Sequence, residues 1–442
     1  MTVNTTTQAR LSSAAIRPLR TLDPAAALDD LDWLDEVIGD ARVVAIGESA
    51  HYNAESYLLR HRLLRYLVER HGFSAYAMES GFVEGRLTDE WIRGGAGGVG
   101  EIGTVMANGI SSLMGLWTQM RDQLEWMRNY NQTAARPIGF YGIDLPGSNA
   151  SLLPGLDTVI GFLAEADPAF EVDPALRKQI LAFAAPSSFS IPATVAALGK
   201  LSTEIKDALT AGLSDLLERM KAHRVDYVRR TSAEDYEHAL HAMRLTITLD
   251  TAARAMIDGD QLELMLRRDA AMADTVELIL RSNGRVVLGA HNGHISREPL
   301  DMPGVVAVTT AGVHLADRLG EDYVVIGQTT GTGQTLNADT DFYTGKLFAD
   351  LGAPDPGSLD ALMEASGDGP FATDLRRLSP ADADAVRAAS QQRLSPWYSE
   401  VDALKAYDVI VHLPHVTAAS LDPAALAAAP SDVQQILGRQ EK

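Results

Sequence analysis

The chain contains no cysteine, which excludes thiol nucleophiles, thiolate metal sites and disulfides. Basic residues are also scarce: 38 Lys and Arg stand against 59 Asp and Glu, a formal charge of −21, and no long basic run interrupts that balance. Such a field repels nucleic acid and anionic membrane surfaces, so the expected partner is a neutral or cationic small molecule. No uninterrupted apolar window of about 18 residues occurs, and residues 1–18 are polar with no apolar signal core. The sequence therefore reads as cytoplasmic, with no membrane partner. No G-x-S-x-G elbow is found either, which disfavours a serine acyl-enzyme.

What is present is ample core material: 442 residues, 46% of them hydrophobic, enough for two or three domains at roughly 150 residues each. The most informative stretch is Arg42 to His51, where Val43-Val44-Ala45-Ile46 runs into Gly47 and then delivers Glu48 and His51. A short buried strand giving way to a helix explains this pattern, because Leu59, Leu63, Leu64 and Leu67 follow at helical spacing. In open parallel sheets, ligands lie outside such carboxyl ends of strands. The same design recurs: residues 74–78 end at Glu79, residues 137–143 end at Asp144, and residues 285–290 end at His291 and His294. Residues 305–309, 323–327 and 409–412 supply further apolar strands, with a helix opening near Gly312.

The expected fold is α/β, a central mostly parallel sheet flanked by helices, with a long helical excursion forming a cap or wall of the cleft. Its expected divisions are an N-terminal arm and helix over 1–40, a first part of the core over 41–150, the helical excursion over 151–281, and a second part of the core over 282–442. Asp23-Pro24 predicts a capped helix. The glycine-rich run 94–100 matches G-x-G-x-x-G at Gly95, Gly97 and Gly100 only formally. It follows a helical context, so a loop at the cleft mouth is expected in place of a dinucleotide site. Residues 329–334 read as a flexible turn after a strand, and residues 350–395, rich in Asp, Ala, Pro and Ser, as exposed helices and connections. His223, His238 and His241 lie in the excursion and are expected to be surface or hydrogen-bonded groups.

A parallel sheet gathers its strand ends along one edge, so Glu48, His51, Glu79, Asp144, His291 and His294 are candidates for one constellation. A core has no use for such groups, since unpartnered polar side chains there cost several kcal/mol, roughly. Residue types alone leave three readings. In one, a histidine acts as general base on water while a glutamate fixes its tautomer. In another, His51, His291, His294 and a glutamate hold a metal that activates water. In the third, the groups form a hydrogen-bonded network around a ligand without turnover.

A resemblance narrows these readings. Gly47-Glu48-Ser49-Ala50-His51, then Glu55 and Arg60, Gly72-Phe73 before Met78-Glu79, the segment 117–131, Gly142-Ile143-Asp144, residues 268–273 and Gly289-Ala290-His291-Asn292-Gly293-His294 follow one another in order. Together they resemble the erythromycin esterase family from about residue 40 to 330, with residues 407–410 similar to its last strand. The resemblance implies hydrolysis of a macrocyclic lactone ester through a histidine-activated water, with no metal and no other cofactor. It makes His51 the base, with Glu48 and Glu79 positioning it and the water, and Arg60, His291 and His294 orienting or stabilising the substrate oxygen. Tyr52, Asp144 and Arg268 complete the implied substrate-binding set, and the substrate is expected to be macrolide- or polyketide-like. Specificity is assigned to the excursion 151–281. The alternative function is a biosynthetic tailoring enzyme, of lyase or isomerase type, in which the same acid and base pair opens or closes an oxygen ring on a polyketide-like substrate.

Overall fold

The computed structural model describes residues 9–94, 100–302, 304–394 and 396–438. The glycine-rich run 95–99 therefore lies outside the described residues. Among the described residues there are thirteen strands: β1 Arg17–Pro18, β2 Val43–Ile46, β3 Ala75–Gly81, β4 Gly139–Asp144, β5 Val286–Gly289, β6 Leu300–Met302, β7 Val305–Val308, β8 Tyr323–Leu336, β9 Phe348–Leu351, β10 Phe371–Asp374, β11 Gln391–Leu394, β12 Trp397–Glu400 and β13 Val409–Val416. The chain divides into two compact units. The first holds residues 1–76, 280–342 and 346–420, and the second holds 77–279, 343–345 and 421–442.

In the first unit the strand order is β1-β10-β13-β8-β2-β5, with β9 also on β8. The run β13-β8-β2-β5 is parallel throughout, while β1, β10 and β9 add antiparallel margins. β2 is the middle of the parallel run, flanked by β5 and β8. All four of its residues are buried, which is why it reads as a continuous apolar run and not as an alternation. The helix Ala54–His71 follows it and ends at Gly72, whose φ of 67° supplies the left-handed C-cap.

The second unit holds β4 and most of β3. It is otherwise helical, and between residues 151 and 281 no strand occurs among the described residues. Seven α-helices and one 3-10 helix occupy that interval, the longest being Ala233–Ile257 and Gln261–Asn283, the latter running two residues beyond it. Ser202 and Ser232 cap two of them by accepting from Ile205 N–H and Asp235 N–H. Leu156, Val159, Leu213, Met220, Leu240 and Met243 bury the inner faces.

Three sequence expectations need correction. Asp23-Pro24 opens no helix: Asp23 accepts from Ala25 N–H in a local turn, and the regular element is a 3-10 helix over Asp29–Leu34. Leu28, Leu31 and Leu34 are all buried, and a spacing of three is the one that a 3-10 helix places on one side. Residues 329–334 form no turn but continue β8 beside β13, with Thr329 opposite His412 and Gly333 opposite Val416. Their glycines serve close strand approach: a Cβ on Gly331 would lie 2.2 Å from the Pro414 carbonyl oxygen. Residues 350–395 contain two complete strands and the helix Leu359–Glu364, whose first five residues are buried. Their composition conceals a buried element because Asp360 is satisfied internally, accepting from Thr330 N–H and Arg393 N–H.

Candidate active site

β2 ends at Ile46, and Gly47 follows because nothing larger fits: a Cβ there would lie 2.1 Å from Asn292 Oδ1. Glu48 is 2% exposed and makes two contacts that define it. Its Oε1 lies 2.6 Å from His51 Nδ1, and its Oε2 is ion-paired with Arg60 from the first turns of the next helix. A carboxylate oxygen only accepts, so Nδ1 carries the proton and Nε2 the lone pair in neutral His51. Burial is the largest influence on Arg60 and works against its charge, but Glu48 together with Tyr76 and Tyr57 outweighs it, and the guanidinium is held above its ordinary range. Room for Arg60 comes from Gly289 on β5, where a Cβ would lie 2.9 Å from Arg60 Cδ. Tyr57 presents its ring to the same guanidinium, 5.5 Å from the centroid. His51 is the more open member, its side chain 21% exposed. Tyr52 beside it is buried and has a φ of 66°, a left-handed backbone that is uncommon for an aromatic residue.

β5 brings its own imidazoles to the same place. His291 is the N-cap of the short helix Asn292–Ile295: its Nδ1 accepts from Gly293 N–H at 3.1 Å, and its Nε2 donates to the Ser49 carbonyl at 3.1 Å. A backbone N–H only donates and a carbonyl only accepts, so these bonds specify the Nε2–H tautomer of neutral His291. The rings of His51 and His291 meet edge to face, 5.4 Å apart, and His294 follows at 6.5 Å from His291, largely buried. Glu48, His51, Arg60, His291 and His294 thus form one cluster in the first unit. Asn292, which the residue types alone did not single out, locks it. Its backbone N–H donates to the Glu48 carbonyl at 2.8 Å, and its side-chain amide exchanges two bonds with the backbone of Gln328 on β8. The signal was present in the position of Asn292 between the two histidines.

In the second unit, β3 and β4 deliver Glu79 and Asp144, and the helix Gln261–Asn283 delivers Arg268. The guanidinium grips Asp144 in a fork, Nε to Oδ1 at 2.9 Å and Nη2 to Oδ2 at 2.6 Å, and also reaches Glu79 Oε1 at 3.1 Å. Such bidentate, charge-assisted contacts are the strong ones. Asp144 is completed by Leu145 N–H and the Asn149 amide. Burial opposes the charge on Arg268 as well, and Asp144 and Glu79 together hold it above its ordinary range.

The sequence profile of the erythromycin esterase family matches residues 68–416. The chain belongs to the erythromycin esterase family. The matched stretch contains Glu79, Asp144, Arg268, His291 and His294, and it begins after Glu48, His51 and Arg60. Erythromycin esterase type II of Escherichia coli is 31% identical over 365 residues, covering 79% of this chain and 84% of its own. Erythromycin esterase type I of Escherichia coli is also 31% identical, over 320 residues, 69% of this chain and 74% of its own. Among solved structures, an erythromycin esterase mutant, EreC, in its open conformation is similar with a TM-score of 0.74 at 23% identity, covering 90% of this chain and 97% of that one. Within this family member, His223 and His238 remain apart from these clusters: His223 stacks on Tyr227, and His238 on Phe82. His241 is buried and bonded to Thr275. Among the described residues, no group of three or more His, Asp or Glu side chains is arranged to hold a metal ion.

Proposed function

We propose that this protein hydrolyses a macrocyclic lactone ester, with His51 as the general base that activates water. The observation that carries the reading is the 2.6 Å contact from His51 Nδ1 to a buried Glu48 that is also paired with Arg60. Glu48 fixes the tautomer that leaves the lone pair on Nε2, and stabilises the imidazolium once water has given up its proton. Hydroxide then adds to the lactone carbonyl, the ring C–O bond breaks, and the proton held on His51 passes to the departing alkoxide. Membership of the erythromycin esterase family and the names of the two Escherichia coli relatives support the ester substrate and its macrolide character.

The roles of the remaining groups follow. Arg60 and His294 support the charge distribution around His51, and Tyr52 adds a substrate contact beside it; the family resemblance further assigns Glu79 to positioning the water, Asp144 and Arg268 to substrate binding, and the excursion 151–281 to specificity. The reaction needs no metal in this reading, because a neutral imidazole is already a competent base at neutral pH. The test is incubation of metal-analysed protein with a panel of macrolactones in ¹⁸O-water, followed by mass spectrometry. One labelled oxygen per product is expected, with turnover falling about 10² to 10⁴-fold in His51→Ala, the range of general acid-base catalysis. Unlabelled product of unchanged mass, activity restored only by added zinc or manganese, or near-normal turnover in His51→Ala would overturn it.

A further inference from the structure

Glu55 is a residue that the hydrolytic scheme leaves without a task. It lies in the first turn of the helix Ala54–His71, shortly after His51, yet its carboxylate reaches away from that helix. Its Oε2 accepts from Thr417 N–H at 2.7 Å, and its Oε1 accepts from the Thr417 hydroxyl at 2.8 Å. Thr417 directly follows β13, so the carboxylate grips a segment 362 positions along the chain, at the surface of the first unit.

That segment, residues 417–419, is strapped along the turn that carries His51. The Thr417 carbonyl accepts from Ala54 N–H at 2.9 Å, and Ala419 N–H donates to the Tyr52 carbonyl at 2.8 Å. Between these bonds Asn53 and Ala418 pair as an antiparallel bridge. Asn53 is the N-cap of the helix, but its side chain makes no cap. Its amide donates instead to the Gln334 carbonyl on β8 at 2.8 Å and to the Thr417 carbonyl at 3.4 Å. The strap therefore satisfies the first amide of the helix, a task that usually falls to water or a cap. Tyr52 stands between His51 and this bridge with a φ of 66°, which a non-glycine residue keeps only where its surroundings enforce it. Its own carbonyl and the two residues after it are all bonded to the strap.

We propose that Glu55 is a positioning residue: its grip on Thr417 holds residues 417–419 against Tyr52–Ala54, and that backbone keeps the His51 ring 2.6 Å from Glu48. Glu48 is anchored by Arg60 and Asn292 at one end of the turn, and the helix is anchored by its buried leucines at the other. Release of the strap frees the residues between those anchors, and His51 is among them. A displacement of about 1 Å at a reacting group costs up to a hundredfold in rate. The inference rests on the reading of His51 as general base.

The test compares Glu55→Ala, Glu55→Gln and Thr417→Val with wild type, all as the full chain. Two readouts are taken: steady-state kinetics on a macrolactone, and the Nδ1 proton of His51 in protein labelled with ¹⁵N-histidine, assigned by its loss in His51→Ala. A hydrogen bond to a carboxylate moves that proton downfield, so its resonance reports the contact with Glu48 whatever reaction the site performs. Glu55→Ala should lower kcat about tenfold to a hundredfold, change KM less than about threefold, and shift or broaden the resonance. Glu55→Gln should stay within about threefold of wild type, because its amide oxygen can accept from Thr417 N–H while its nitrogen donates to the Thr417 hydroxyl. A carboxylate that served only the positive end of the helix would not be replaced by this neutral side chain. Thr417→Val should fall between wild type and Glu55→Ala, and the two changes together should cost no more than Glu55→Ala alone. If Glu55→Ala fails to fold, Thr417→Val, which removes only the hydroxyl bond, decides on both readouts. Normal kcat with an unmoved resonance in Glu55→Ala, failure of glutamine to rescue, or fully additive losses in the double variant would each overturn the proposal. Full turnover in His51→Ala would instead overturn the hydrolytic reading, and the resonance would still decide whether Glu55 places the ring.

Discussion

Glu48 sits between two basic groups, and its removal should separate what it does for the fold from what it does for the chemistry. Its side chain is 2% exposed and that of its partner Arg60 is 1% exposed, so neither charge has water to fall back on. Replacing one member of a buried pair leaves the other uncompensated, at about 3–5 kcal/mol. Glu48→Gln is therefore expected to lower the stability of the first unit by that amount, and Arg60→Met by a similar amount. The double variant removes both charges, and neutral replacement of a buried pair is often without cost. It should unfold within about 3 kcal/mol of wild type, far short of the roughly 6–10 kcal/mol that the single losses sum to. Activity should behave differently. The amide of Glu48→Gln can present its carbonyl to His51 but cannot balance an imidazolium, so kcat on a macrolactone should fall about 10² to 10⁴-fold and stay low in the double variant. Urea unfolding followed by circular dichroism, with kinetics on the same four proteins, gives both readouts. Stability losses that add to within about 0.5 kcal/mol would show that Glu48 and Arg60 do not sense one another. Activity that returned with stability in the double variant would show that Glu48 acts only on folding, and the assignment of His51 as a Glu48-oriented base would fall.

Two further outcomes follow from the second unit. Arg268→Met removes the guanidinium that Asp144 and Glu79 share, and is expected to destabilise this unit by about 3–5 kcal/mol. Arg268→Lys should recover little of this, because an ammonium cannot reproduce the fork onto Asp144; thermal melts of the two variants check this, and full recovery by lysine would refute the bidentate account. Glu84, pushed up to about 7 by burial, gives a pH signature. The folded state holds a proton there that the unfolded chain releases above about 4.5, so this group's contribution to stability is lost as pH rises from about 4.5 to 7. At 1.36 kcal/mol per unit the loss approaches about 3 kcal/mol. Glu84→Gln should thus be more stable than wild type at pH 8 by up to that amount and not at pH 4; a difference that did not change with pH would refute it.

The elements legible in the sequence were those whose pattern is local. Val43–Ile46 reads as a buried strand because a parallel strand covered on both faces is apolar at every position, and the helix Ala54–His71 follows from leucines at helical spacing and a glycine stop. Carboxylates at the ends of β3 and β4 were visible for the same reason. The misreadings occurred where a distant segment decides the meaning of a residue. Gly331 and Gly333 look like turn residues along the chain, yet they are small because β13, some 83 positions on, presses its carbonyls against them. Asp360 looks like a surface residue until Thr330 N–H and Arg393 N–H are seen to converge on it. The site divides likewise. Glu48, His51 and His291 were visible as chemical groups at strand ends. The tautomer of His291, by contrast, is set by Ser49, and that follows only from a contact spanning 242 positions.

Both units solve one electrostatic problem in the same way, and this bears on what their charges are for. Glu48 is met by Arg60, and the pair Glu79 and Asp144 by Arg268. In each case a carboxylate that a strand end carries into a nearly dry environment is met by a guanidinium from a helix, although in the second unit one guanidinium serves two carboxylates. Well-packed apolar residues of similar volume would hold those positions at equal or lower free energy, so stability alone does not account for three buried carboxylates at strand ends. The arginines make such carboxylates tolerable; they do not make them advantageous to the fold. What the first unit gains is a fixed acceptor 2.6 Å from His51, in a cluster whose carboxylate and guanidinium cancel. In the proposed reaction, a proton taken up by His51 arises beside the carboxylate placed to meet it. The double variant of Glu48 and Arg60 probes this same distinction, since it removes the charges while sparing the packing.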